Sequence, residues 1–189
     1  VLILGEHFPQ VINIEIFLGF EARNINELAR LAERRRKFDV LLVHGGDLKL
    51  NRVACETPEV DILTHPELNR YDPGLNHILM KAASKNNVAI EINFREILLA
   101  TKKSRSKILS NMEQNIKLSR KYKTPIIICS GAISHWELRD PIILSSFPTE
   151  LGLSIKEAKD SISKVPENIL KQRKERKEEE WIIPGVKVV

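Results

Sequence analysis

Aromatic residues are scarce in this chain: they make up 5% of its 189 residues. So few rings cannot build an extended base-stacking platform. Cysteine is scarcer. Cys55 and Cys129 are the two, without CxxC spacing, which argues against a disulfide framework or a thiolate metal site. Both read as reduced core thiols, Cys129 inside an apolar run. No apolar stretch reaches the roughly 18 residues of a membrane helix, and no charged, then apolar, then small-residue leader opens the chain. No GxGxxG follows a first strand and no GxSxG occurs, which weakens dinucleotide-binding and serine-hydrolase readings. No repeat of fixed period and no long linker divides the sequence. The expectation is one soluble, cytoplasmic protein without a membrane partner.

What the chain does hold is charge and short apolar runs. Lys and Arg number 30 against 25 Asp and Glu, a net charge of +5. Basic residues gather in "RLAERRRK" (30–37), "KKSRSK" (102–107), "KLSRKYK" (117–123) and "KQRKERK" (171–177). One such run is an ordinary solvated helix face. Four in a small domain point to a polyanion partner.

Strand patterns at 11–20, 39–45, 61–65, 88–93 and 125–130 alternate with helical patterns at 26–37, 47–56, 74–86 and 103–123. That alternation predicts a parallel sheet with helical crossovers. Either an open doubly wound sheet or a barrel satisfies it; the barrel is favoured, as an α/β, TIM-barrel-like fold. Helix starts are expected at Asn24 or Asn26, at Asp72 with Pro73, and at Ser104. After Ser130 the pattern changes to a loop with one or two short helices. Two more helices follow, broken at Pro166, with Ser154 and Glu157 spaced as a capping box. The expected division is a barrel domain over 1–170, then a charged helix extension and an apolar tail, "WIIPGVKVV", over 171–189.

In a parallel barrel, functional side chains stand where strands end. Those ends offer Glu21, His44, His65, Glu91, Asn93 and Ser130. Such a ring could bind a divalent metal through N and O atoms, or serve as an internal hydrogen-bonding network. Without an HxH pair the network is preferred, so no metal is assigned. The alternative metal set is Glu21, His44, His65 and Glu91, with a metal-bound water as nucleophile of a phosphoesterase.

A second constellation is basic. Lys49 and Arg52 are three apart on one helix face, Arg70 and His77 fall in and after "HPELNRYDPGLNH", Arg95 follows the fourth strand, Lys121 closes a long helix and Arg139 follows "HWEL". Guanidinium groups at strand ends suit phosphate contacts, with Tyr71 and Trp136 nearby to stack.

The joint occurrence, in order, of "PGLNH", "KNNVAIE", "ICSGA" and "WELRDP" resembles the thirty-kilodalton class of archaeal and eukaryotic RNase P protein subunits. The likeness runs from about Gly45 to Leu170, around two thirds of the chain. It implies a barrel related to the polymerase-and-histidinol-phosphatase metallo-phosphoesterases, without its first strand or strands here, so that Val1 would lie inside a longer protein. It also implies a non-catalytic subunit of the ribonucleoprotein that removes 5′ leaders from precursor tRNA. The RNA would carry the chemistry with Mg2+, no cofactor would sit on this chain, and a small α/β protein would be its partner in a heterodimer or heterotetramer. The positions that match the family's RNA-linked sites are Lys49, Arg52, Arg70, His77, Arg95, Lys121, Arg139 and, more weakly, Lys159. Asp61 matches a family aspartate read as structural or as orienting a nearby arginine.

Overall fold

The computed structural model describes residues 17–177, 181–183 and 186–187. Five parallel strands form one sheet: β1 (Gly19–Ala22), β2 (Val40–His44), β3 (Ile62–Thr64), β4 (Ala89–Asn93) and β5 (Ile126–Cys129). Their spatial order is the chain order, β1-β2-β3-β4-β5. A doubly wound sheet reverses direction at a switch point; consecutive neighbours with helical crossovers are the arrangement of a TIM-like barrel wall. Residues 11–16 of the first expected strand lie outside the described residues. Within the described part, β1 sits later than that pattern, so Glu21 is a strand residue rather than the residue after one.

The crossovers are α1 (Ile25–Glu33), α2 (Leu48–Glu56), α3 (His77–Asn86), and α4 (Phe94–Leu99) followed by α5 (Lys102–Tyr122). After β5 come α6 (Pro141–Glu150), α7 (Ile155–Ile162) and α8 (Lys164–Lys177), then a small antiparallel pair, β6 (Trp181–Ile183) and β7 (Val186–Lys187).

Local chemistry explains most of the helix ends. Asn24 caps α1 by accepting from the Glu27 amide, and the Ser154–Glu157 capping box forms as its spacing requires. Three expected boundaries move. Asn76, not Asp72, caps α3, because Asp72 is taken by Arg70 and the Gly74 amide. Thr101 rather than Ser104 precedes α5. The break between α7 and α8 falls at Ser163, and Pro166 sits in the first turn of α8, where a missing N–H costs no intrahelical bond.

Strand alternation and register then decide what faces what. Leu41, Val43, Ile90 and Ile92 point to the helix layer, where they meet Leu28, Met80, Met112 and Ile116. Fully burying each such side chain is worth about 1.5–3 kcal/mol. The pairings Glu21↔Leu42, His44↔Thr64, Ile62↔Ala89, Glu91↔Ile127 and Asn93↔Cys129 place a second set on the opposite face. There α8 covers the N-terminal half, with Val165 and Ile169 against Ile62, Ala89 and Ile127. The C-terminal half of that face is left to polar residues.

Candidate functional site

Glu21, His44, Thr64, Glu91, Asn93 and Cys129 share that face at the strands' C-terminal ends, and His65 joins them just past β3. His44 Nδ1 lies 3.2 Å from Glu21 Oε1 and 3.2 Å from His65 Nε2. Glu91 accepts from the His65 amide, from Asn93 and from the Cys129 thiol. Burial raises the Glu91 carboxyl above the ordinary range. Burial, with His44 beside it, pushes His65 down to about 4, so its ring is neutral at pH 7. The expected ring of polar residues therefore assembles, with Thr64 and Cys129 as members that the sequence reading passed over. Ser130 stands apart, its Oγ accepting from the Ala132 amide. Gly131, at φ +61°, lets the loop after β5 lie against this network: an added Cβ would stand 2.1 Å from Asn93 Oδ1.

The loop between β3 and α3 is shaped by asparagines. Asn51 Nδ2 donates to the carbonyls of Pro66 and Gly74, and its Oδ1 accepts from the Gly46 amide. Asn111 donates to Asp72 O and Asn115 to Pro73 O and Glu67 Oε2. All three are buried. Asparagine is a poor helix former, so amides on buried faces of α2 and α5, two of them four residues apart, were a readable sign of a backbone needing partners. Beneath them Glu67 is buried, and desolvation pushes its carboxyl up to about 8.

The clamped loop presents Arg70. Its guanidinium grips Asp72 through two bonds of 2.9 and 2.7 Å and donates to Gly46 O at 3.0 Å. Across the mouth, Arg95 lies in the first turn of α4 rather than at the tip of a strand, and bonds Glu137 at 2.9 Å. Arg139 donates to the carbonyls of Trp136 and Leu138 and lies over the Phe94 ring. Lys49 and His77 stand exposed in the first turns of α2 and α3, the helix ends nearest the mouth, and Arg52 one turn on pairs with Glu56 at 2.9 Å. Lys121 is elsewhere. It lies in the last turn of α5, which feeds the N-terminal end of β5, and α7, carrying Lys159, is tied to that same end by Arg120 bonding Glu157 and Gly152 O. Five of the eight basic positions thus rim the mouth, Arg52 flanks them, and Lys121 and Lys159 lie at the opposite end. Asp61 does orient an arginine: it pairs with buried Arg35 and accepts from the Leu41 amide.

Residues 15–178 match the family described as RNase P subunit p30. The chain belongs to that family. Among its p30 relatives, Ribonuclease P protein component 3 of Methanosarcina mazei is 40% identical over 169 residues, 88% of this chain and 70% of the relative. The protein of the same name from Methanococcus maripaludis (strain DSM 14266) is also 40% identical, over 88% of this chain and 72% of its own. The p30 fold is matched by a chain from the cryo-EM structure of archaeal Ribonuclease P with mature tRNA, with a TM-score of 0.82 and 28% identity. That match covers 94% of this chain and 77% of the other.

Proposed function

We propose that this chain is a protein subunit of ribonuclease P, the ribonucleoprotein that removes the 5′ leader from precursor tRNA. The observation that carries this is identity of 40% across 88% of the chain to a protein named for that complex, and the fold match to a chain of an assembled archaeal particle supports it. In this reading the RNA performs the cleavage with Mg2+, and the subunit binds and stabilises the catalytic RNA domain.

The RNA contacts are assigned to the basic positions, with the mouth rim of Lys49, Arg70, His77, Arg95 and Arg139 as the principal surface and Arg52 at its flank. Arg70 and Arg95 each already hold a carboxylate. Their forks are thereby fixed in direction, and a phosphate would share or displace that partner. Arg139, held by two backbone carbonyls and lying over the Phe94 ring, is ion-paired with no carboxylate among the described residues, so a phosphate would displace none. Lys121 and Lys159 would serve a second contact at the other end.

A small α/β protein subunit is the expected protein partner, as a heterodimer or, with two copies of each, a heterotetramer. The surface that suits it is the segment after β5. Ile133, Trp136, Leu138 and Ile142 are 79%, 79%, 61% and 77% exposed, four large apolar side chains within ten residues that a partner could cover. Reconstitution tests the whole reading. Leader removal from precursor tRNA by the RNA and its protein subunits should depend on this chain, and Trp136→Ala with Ile142→Asp should abolish co-elution with the partner while far-UV circular dichroism stays unchanged. Cleavage at full rate without the chain would reject the function.

A further inference from the structure

Among the polar residues at the mouth, three donor atoms have a geometry that the RNase P reading does not use. Glu21 Oε1, His44 Nδ1 and His65 Nε2 come from or just beyond the ends of three neighbouring strands and all lie within 4.8 Å of one another. His44 Nδ1 stands 3.2 Å from each of the other two. A zinc-like ion holds N and O ligands at about 2.0–2.2 Å, which spaces adjacent ligand atoms at about 3 Å. Two of the three pairs are already near that spacing, and the third, Glu21 Oε1 with His65 Nε2, is within 4.8 Å.

Their proton inventory points the same way. A carboxylate at Glu21 only accepts, a lone proton on His44 Nδ1 serves one of its two neighbours, and the Thr64 hydroxyl, bonded to Val43 O at 3.0 Å, lies farther from Glu21 Oε1 and His65 Nε2, at 3.4 and 3.5 Å. One cation satisfies all three lone pairs at once. His65 Nε2 is then a ligand and Nδ1 carries the ring proton. Nδ1 is buried without a hydrogen-bond partner among the described residues, and Glu91 Oε2 faces it from 3.7 Å. A small closure of that gap gives the carboxylate–histidine–metal relay that fixes the tautomer of metal-bound histidines. The backbone also holds His65 at φ +30°, a conformation that non-glycine residues seldom adopt, and its ring is kept turned into the cluster.

We infer that Glu21, His44 and His65 form a binding site for a divalent cation of the zinc class, with Glu91 behind His65. Two imidazoles and one carboxylate suit such an ion better than Mg2+, which takes oxygen ligands. Three protein ligands leave a coordination position open, and it faces solvent, since the His44 and Glu21 side chains are 36% and 30% exposed. This departs from the sequence expectation that the chain binds no metal, and it stands whether or not the RNase P reading holds.

The test uses the purified chain, stripped with a chelator and titrated with Co2+ as a spectroscopic probe, with Zn2+ in competition. The expected result is a single equivalent bound with a visible d–d band that Zn2+ abolishes. Glu21→Gln and His44→Gln, at partly exposed positions, should each weaken the affinity by about 100-fold and remove the band while the circular dichroism spectrum is unchanged. Absence of binding at micromolar ion would overturn the site. So would binding that both variants retain, which would place the ion on histidines such as His77 or His135.

Discussion

At the scale of single residues, the basic positions differ in what holds them, and their substitutions should differ accordingly. Arg139 bonds backbone carbonyls from an exposed turn, so Arg139→Ala should change unfolding free energy by no more than about 0.5 kcal/mol. The same change should weaken RNA binding and lower the salt slope of log affinity by about 1, the mark of one lost phosphate contact. Arg70→Ala should lower processing too, but with a measurable stability loss, because it strands Asp72 and the Gly46 carbonyl. Urea melts beside filter-binding titrations separate the two. Glu67 carries a different expectation. Its carboxyl is raised to about 8 in the fold against about 4.3 for an ordinary glutamate, so between those values the folded state keeps a proton that the unfolded state has lost. Stability contributed by this group is complete at pH 4 and falls as pH rises toward 8, by at most about 1.4 kcal/mol per pH unit. Glu67→Gln, which cannot ionise, should flatten that part of the curve in denaturant melts from pH 5 to 9; an unaltered slope would reject the assignment.

Elements show where sequence reasoning reaches and where it stops. The four complete strand patterns from residue 39 onward and the long crossovers were legible because apolar periodicity and burial agree there. The stretch around Phe94–Leu99 was not. It continues an apolar strand without a glycine or proline, and Asn93, the residue that starts the helix by accepting from the Arg95 amide, also reads as strand-face polarity. Arg95 does follow the strand, as its position implied, but in the first turn of a helix rather than in an open loop. The mouth residues were legible as strand-end polar groups, but their pairing was not, because His44 and His65 meet only through the β2–β3 register. The asparagine clamp carries its own test. Asn51→Ala removes three hydrogen bonds and leaves buried backbone carbonyls without their donor, a cost on the order of 3 kcal/mol. The loop of Arg70 should then open, seen as faster amide exchange at residues 67–72 and at Gly74 than in α5. Gly131→Ala should likewise displace the loop after β5, since its Cβ has no room beside Asn93.

For the whole molecule, the parts describe a barrel wall whose inner face is divided by length. One half is closed by α8 through Val165 and Ile169, and the other is given over to a hydrogen-bonded polar mouth ringed with cations. Net charge of +5 is modest, and three of the eight basic positions spend their charge on local carboxylates. Affinity for RNA should therefore come from a limited number of phosphate contacts and fall steeply with salt. The central claim is that this chain is a working subunit of a ribonucleoprotein. Its most direct test is precursor-tRNA cleavage by a reconstituted ribonuclease P assayed with the chain, without it, and with the Arg139→Ala variant. Leader removal that drops markedly when the chain is left out, and partially with the variant, is the expected result; equal rates in all three assays would contradict the account.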